Sequence, residues 1–516
     1  MKTKKALISV SDKTGVVIFS QELISMGWEI ISTGGTARTL RENGIKVQDV
    51  SELTGFPEIL EGRLKTLHPL VHGGILARRD LALHRQQMQE HNIVGIDLVA
   101  VNLYPFAEVT AKEGTTLEEA IENIDIGGPT MVRAAAKNYR DVIVIVEPSS
   151  YSQVIEELRQ KDDISLSRRF ELAVEAFLHT AYYDSLISNY LWKKIPRKAL
   201  APPLITLPFK KEKELRYGEN PHQKASFYIE PMPPQSSIAM AKQLQGKELS
   251  FNNINDLHAA WEMVREFEEP TVVAVKHANP CGVASADSLA KAYQKAHDAD
   301  PISIFGGIVA LNREVDQETA TLMQKIFLEV IAAPSFSAAA LEIFSSKKDV
   351  RLLQIPLMPA ENVAQGLDFK KVSGGLLLQD DLAETYNTEQ WRVVTSREPT
   401  EKEMEDLLFA LKVVKHIKSN AIVITKRQQT LGIGAGQMSR VGSVQIAVKQ
   451  AGENTKGSVL ASDAFFPFKD GVEIAAAEGV TAIIQPGGSN RDQEVIETCE
   501  KYGITMIFTG RRYFKH

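Results

Sequence analysis

Lys276, His277, Asn279 and Cys281 crowd the end of an apolar run in the stretch VVAVKHANPCGVA, from Val272 to Ala284. A cation, an imidazole, an amide and a thiol so close together can support three kinds of chemistry. These are a metal centre, a cysteine nucleophile, or general base catalysis beside a cation. A zinc centre of the nucleobase-deaminase kind needs His-x-Glu and then Pro-Cys-x-x-Cys. Here Asn279 stands two places after His277, and Val283 and Ala284 follow Pro280-Cys281 without a second thiol. The acid and one ligand are both missing, so the metal reading fails on donor chemistry. A cysteine nucleophile has no second signature in the chain. His277 as a base, with Lys276 as a cation or oxyanion partner, stands beside the plainer reading of a histidine that merely ends a strand.

Other stretches carry anion chemistry. In WEIISTGGTARTL a strand runs into Thr33-Gly34-Gly35-Thr36 and then a helix, which surrounds a helix N-terminus with backbone N–H groups and hydroxyls suited to phosphate. An ordinary glycine turn fits the same letters, and no Gly-Lys-Ser/Thr follows to make a Walker loop. GRLKTLHPLVHGGILAR places Arg63, Lys65, Thr66 and His68 in a Gly- and Pro-punctuated loop. Such residues are either solvated charge or oxyanion donors. NIDIGGPTMVRAAAKN puts Pro129 in a first helical turn, Arg133 and Lys137 on one face, and Asp125 just outside. A carboxylate near paired cations is either a structural pair or a proton-transfer set. LGIGAGQMSR lacks the full dinucleotide fingerprint, which leaves Asn420 and Arg440 as its candidate polar contacts. ASDAFFPFKDGVEIA gathers Phe465, Phe466 and Phe468 before Asp470, either as core or as a platform for a flat heteroaromatic ligand.

The elements that must position these residues can be read from the hydrophobic pattern. ALISVS, WEIISTG, IDLVAVNLYPF and DVIVIVEP read as strands between helical segments, which predicts a parallel sheet covered by helices. A long helix from about Leu166 to Trp192 leads into the Pro-rich KKIPRKALAPPLITLPF, the best linker candidate. Beyond it, Asp256, Leu257, Ala260 and Val264 recur as Asp406, Leu407, Ala410 and Val414, each 150 residues later. VVAVK then faces IVITK, and Gly282 faces Gly432, so two related α/β subdomains are expected.

The 516 residues are enough for two or more domains, and 44% hydrophobic and 24% charged content is globular. A net charge of −6 leaves no basic footprint for nucleic acid. Two cysteines, Cys281 and Cys499, argue for a reducing compartment. The apolar run in MKTKKALISVSDKTG is too short for a signal segment, and no stretch of membrane-spanning length follows. A cytoplasmic enzyme is the expectation.

Together the motifs resemble one family over nearly the whole chain and in the same order. SDKTG, STGGTA, GRLKTLHP, NLYPF and IDIGG…RAAAKN resemble an inosinate cyclohydrolase domain. LRYGENPHQ, VKHANPCG, SNAIV, GIGAGQMSR and SDAFFPF resemble an aminoimidazole carboxamide ribonucleotide (AICAR) formyltransferase domain. The resemblance is thus to the bifunctional family that performs the last two steps to inosine monophosphate (IMP). It implies an α/β protein with a methylglyoxal-synthase-like domain at 1–198 and a formyltransferase domain at 199–516. The latter would consist of two cytidine-deaminase-like subdomains, roughly 210–365 and 366–516, that have lost the zinc. It also implies 10-formyltetrahydrofolate as co-substrate, no metal, and a homodimer whose formyltransferase sites form across the interface.

Carried over position by position, the resemblance implies His277 as the base for formyl transfer, with Lys276 at the oxyanion or the leaving folate nitrogen. Arg216, Tyr217, Gly306, Glu329, Asn420 and Arg440 would hold the nucleotide, although relatives can carry aspartate at the position of Glu329. Phe465, Asp470, Ser489, Asn490 and Arg512 would complete that site. For ring closure of the formylated intermediate (FAICAR) it implies Lys65, Tyr104, Asp125 and Lys137. Ser11, Asp12, Lys13, Thr33, Gly34, Gly35, Thr36, Arg63, Thr66, Asn102 and Ile126 would lie near the ribonucleotide.

Overall fold

The computed structural model describes residues 3–196, 199–358, 366–382 and 386–516. Two compact units divide the chain, one of residues 1–210 with 230–232, the other of residues 211–229 and 233–516. The expected boundaries at 198 and 365 fall at residues outside the described ones.

The first unit is built on a five-stranded parallel sheet of β1 (Lys5–Val10), β2 (Glu29–Ser32), β3 (Val47–Asp49), β4 (Leu98–Asn102) and β5 (Ile143–Ile145). Its order is β3-β2-β1-β4-β5. Every residue of β4 and β5 is buried, the mark of strands covered on both faces, and this is why they read as unbroken apolar runs. Because the order turns around at β1 and β4, their C-terminal ends flank a crevice where such sheets bind ligands. The long helix spans Leu166–Lys194, with Ser165 capping its start through Arg168 N–H.

The second unit opens with the hairpin β6 (Lys210–Leu215) and β7 (Ala225–Ile229). A six-stranded mixed sheet follows, made of β8 (Lys242–Gln245), β9 (Thr271–Lys276), β10 (Asn279–Ser285), β11 (Ile308–Leu311), β12 (Val330–Ala333) and β13 (Arg351–Gln354). After the hairpin β14 (Leu367–Val372) and β15 (Gly375–Asp380) comes a second such sheet. It holds β16 (Arg392–Val393), β17 (Ile422–Thr425), β18 (Thr430–Gly434), β19 (Val459–Ser462), β20 (Ala482–Gln485) and β21 (Thr505–Phe508). The orders are β10-β9-β11-β12-β13-β8 and, read in the same direction, β18-β17-β19-β20-β21-β16. Strand senses match pair for pair, so the repeat expected from the 150-residue shift is a repeat of topology.

Alternation along the strands explains the layering. Val273, Val275, Ile308 and Ala310 join one core with Val423, Ala461 and the helices Phe251–Val264 and Glu401–Val414 of both halves. Val272, Ala274, Val309 and Leu311 face a separate core on the other side of their sheet. Gly282 and Gly432 are glycines for one reason: a Cβ at either would sit 1.9 Å from a helix carbonyl oxygen, of Ala296 or Ala447. The two sheets meet along β10 and β18, which run antiparallel through Ala284 and Gln429. Ser285 N–H donates to Gln428 O (2.9 Å) and Val283 N–H to Thr430 Oγ1 (2.9 Å) across this seam.

Candidate active sites

In the first unit the residues after β1, β2 and β4 converge at the crevice. Asn102, at the end of β4, accepts from Ser11 N–H (2.6 Å) and Asp12 N–H (2.9 Å) and donates to Asp12 O (3.0 Å). It therefore fixes the loop leaving β1. Thr36 is buried and exchanges hydrogen bonds with Val10 N and O, so its hydroxyl ties the helix Gly34–Glu42 to β1. Thr33 stands at that helix's cap position, its hydroxyl 3.2 Å from Ser9. A Cβ at Gly34 would lie 3.8 Å from Lys65 Nζ, and one at Gly35 would lie 3.9 Å from Lys13 Nζ. Two ammonium groups thus stand over a helix N-terminus, an arrangement that favours a phosphate.

Beside this cradle lies Asp125. Burial raises the pKa of its carboxyl above the ordinary value, while the Gly128 N–H (2.8 Å), the charge of Lys65 and the Tyr104 backbone pull the other way. Thr66 is buried close by, and a Cβ at Gly127 would come within 2.6 Å of its hydroxyl. Tyr104 and Ile126 are exposed large side chains bordering the same region. Tyr183 accepts from the Asp125 backbone N–H (2.8 Å), a contact 58 residues distant in the chain and invisible to motif reading.

Two expected members stand differently. Arg63 is held in a two-pronged ion pair with Glu122, its Nε 3.1 Å from Oε1, instead of reaching freely over the cradle. Lys137 ends the helix Gly127–Lys137, whose first turn lies beside Asp125. Ten steps of about 1.5 Å separate its backbone from that of Gly127 by roughly 15 Å along the axis. There it lines a cavity of about 300 Å³ with His72, Arg133 and Phe177. Among the described residues, Lys137 shares no hydrogen bond or ion pair with Lys65 or Asp125.

In the second unit, His277 and Ala278 form the two-residue turn between β9 and β10, with φ of 55° and 57°. Left-handed backbone at a non-glycine residue costs roughly 1–2 kcal/mol. Asp256, on the helix Phe251–Val264, offsets this by accepting both turn amides, from His277 N–H at 3.1 Å and Ala278 N–H at 2.8 Å. The imidazole is presented to solvent from a fixed backbone. Lys276 is anchored by donating to Phe305 O (2.8 Å). Gly306, φ 68°, follows that carbonyl, and Glu329 accepts from Asn253 Nδ2 (2.8 Å) with Arg351 3.8 Å away. Since β9 runs antiparallel to β11, Lys276, Gly306 and Glu329 share one sheet edge. Cys281 is buried and its thiol is pushed up to about 12 by burial, which suits neither a nucleophile nor a ligand.

The other expected residues sit on the second sheet. Asn420 lies before β17, while Phe465 and Asp470 follow β19, Ser489 and Asn490 follow β20, and Arg512 follows β21. With β17 antiparallel to β19, these all belong to one edge. Arg491 lies over the Phe468 ring (4.7 Å) and joins two of the loops. Asp470 opens the helix Asp470–Ala477, and Ser489 Oγ accepts from Arg491 N–H (3.1 Å). Arg216 stacks on Tyr217 at 5.2 Å, and Arg512 on Phe514 at 4.4 Å. Arg440 is buried. It binds Asp463, Ser462 Oγ (3.1 Å), Ala421 O (3.2 Å) and Asn420 Oδ1 (2.8 Å), which makes it a support for Asn420. The antiparallel seam turns the His277 edge and the Asn420 edge to the same side, although no hydrogen bond joins the two sets among the described residues.

Comparison with known proteins identifies the family of the chain. A family model described as the AICARFT/IMPCHase bienzyme matches residues 135–450, and one for the MGS-like domain matches residues 15–130. The chain is similar to the bifunctional purine biosynthesis protein PurH of Acetivibrio thermocellus, 58% identical over 99% of this chain and 100% of that one. The protein of that name from Bacillus subtilis is 55% identical over the full length of both. The chain belongs to the AICARFT/IMPCHase bienzyme family, with an MGS-like N-terminal domain, and is a bifunctional AICAR formyltransferase and IMP cyclohydrolase of purine biosynthesis.

Proposed function

We propose that formyl transfer is carried by the unit of residues 211–229 and 233–516, and ring closure by that of residues 1–210 with 230–232. In the first reaction the 5-amino group of AICAR attacks the formyl carbon of a folate-type donor, taken here as 10-formyltetrahydrofolate. That amine is a weak nucleophile, because its lone pair is delocalised into the ring and carboxamide. His277 removes its proton, and Lys276 stabilises the tetrahedral oxyanion or protonates the departing folate nitrogen. The observation that carries this reading is the clamped left-handed turn, which holds an exposed imidazole next to an anchored ammonium.

In the second reaction the carboxamide nitrogen attacks the new formyl group and water leaves. No redox or group-transfer cofactor enters this balance, so orientation and proton transfer suffice. The cradle of Lys13, Lys65 and the helix at Gly34 supports a phosphate site, and Asp125 with Lys65 supports the proton transfers. Tyr104 borders the same crevice, and Lys137, at the C-terminal end of the helix that starts beside Asp125, is the fourth catalytic residue of this reading. The enzyme works as a cytoplasmic homodimer in which the Asn420 edge of one chain completes the His277 edge of the other. No helix of the described residues is long and apolar enough to cross a membrane.

The test is His277→Ala with both products followed. Formyl transfer, read as tetrahydrofolate release, is expected to fall on the order of 10²–10⁴-fold. Closure of supplied FAICAR is expected to stay unchanged, and Cys281→Ser is expected to keep substantial transfer. Full transfer in His277→Ala with loss in Cys281→Ser would assign the chemistry to the thiol.

A further inference from the structure

We infer that Asp256 is a positioning residue for formyl transfer, holding the turn that presents His277. The inference rests on the reading of His277 as the base. Its support is a comparison the molecule makes with itself. In the second half, Asp406 accepts Arg427 N–H at 2.8 Å and Gln428 N–H at 2.6 Å. Those residues have φ of 56° and 52° and form the turn between β17 and β18. Asp256 does the same for His277 and Ala278, 150 positions earlier, at 3.1 and 2.8 Å. One carboxylate, from one helix, clamps one left-handed turn in each half.

The two turns differ in what they present. The second carries Arg427 and Gln428, and its backbone is absorbed by the seam. Gln428 O accepts from Ser285 N–H and Arg427 O from Lys295 Nζ, both at 2.9 Å. The first carries His277, whose side chain is exposed. The same device is thus structural in one half, while in the other it also fixes the origin of a proton-accepting imidazole. A two-residue turn of this kind ordinarily takes Asn-Gly or Asp-Gly. With His-Ala in those places, the carboxylate supplies what glycine would otherwise provide. An asparagine at 256 keeps one acceptor oxygen but turns its NH₂ toward the second backbone N–H, so the turn loses half its clamp.

The second half therefore serves as a matched control. Asp256→Asn is expected to lower kcat for formyl transfer about 10–100-fold, the scale of a misplaced reacting group. KM for AICAR should stay within about 3-fold and cyclohydrolase turnover should be unchanged. Asp406→Asn, which loses the equivalent bonds, should lower the melting temperature similarly and leave formyl transfer within about 3-fold. Adding Ala278→Gly to Asp256→Asn should recover part of kcat, because glycine adopts the turn without the carboxylate. If Asp256→Asn fails to fold, Asp256→Glu, which keeps the charge but lengthens the arm, is expected to show the same kcat loss. Equal effects of the 256 and 406 substitutions on kcat, or a loss confined to KM, would overturn the inference. His277→Ala separates the two readings. Should it retain formyl transfer, the base assignment fails. Should it be inactive while Asp256→Asn behaves like Asp406→Asn, only the positioning role fails.

Discussion

Asp125, proposed above to move protons in ring closure, shows what a buried carboxyl costs its fold. Burial raises its folded pKa above the unfolded value of about 3.9, so the ionised form is disfavoured by folding. That penalty is absent below the unfolded value and grows as pH rises toward and through the folded one. Asp125→Asn keeps an oxygen for the Gly128 N–H and removes the charge. It is expected to lower ring closure by about 100-fold or more while leaving the melting temperature unchanged or higher. A calorimetric scan beside a cyclohydrolase assay checks both halves. A fall in stability comparable to an ordinary buried substitution would remove Asp125 from the role of strained proton carrier. At this scale the sequence offered candidates wherever motif letters could themselves be the chemistry, as with His277, Lys276 and Lys65. It was silent on partners that arrive from elsewhere. Tyr183 reaches Asp125 across 58 residues, and Glu122 takes Arg63 across 59. Asp256 was visible only as a marker of the repeat, since nothing in its neighbours reveals which amides it will meet.

Between the helix Phe251–Val264 and the helix Glu401–Val414 sits a buried ionic knot. Just past the first helix, Glu266 accepts from Lys415 Nζ (2.7 Å), lies 3.1 Å from His416 Nε2, and accepts from the Tyr386 hydroxyl (3.0 Å). Burial alone would push the Glu266 carboxyl up, but the bonds and charges of His416 and Lys415 outweigh it and hold it at about 2. The stability so gained is fully present above the unfolded carboxyl value of about 4.3. It is lost as pH falls through about 2. Removing the carboxylate strands the buried ammonium of Lys415. Glu266→Gln is therefore expected to cost about 3–5 kcal/mol and to flatten the acid limb of stability in that window. Urea unfolding as a function of pH measures both. Unchanged stability would show that the knot fixes orientation without adding to it. The elements themselves were largely legible. Apolar runs buried on both faces announced β1, β4 and β5, and the capped helix from Leu166 announced itself by length. The three-residue β3 and the two-residue β16 are too short for any period to register, and their pairing comes from neighbours instead of their own letters.

On the scale of the whole chain, the division into two compact units predicts separable activities. A fragment of residues 1–210 is expected to fold and close supplied FAICAR at a rate near that of the full chain, with no formyl transfer. A folded but inactive fragment would show that ring closure draws on the second unit. The duplication was readable as a constant shift of 150 residues, yet the shift alone could not show how the halves meet. That is settled by the seam between β10 and β18, whose antiparallel sense brings opposite strand ends of the two repeats to one side. The seam also acts as a ruler. Because the halves are joined strand to strand, the offset between the His277 edge and the Asn420 edge changes in steps of about 3.4 Å per residue. A single-residue slip along this seam would move one edge past the other by a whole step and turn the side chains of the slipped strand to its opposite face. Length at this seam is quantised, and loops elsewhere in the second unit can vary without touching it.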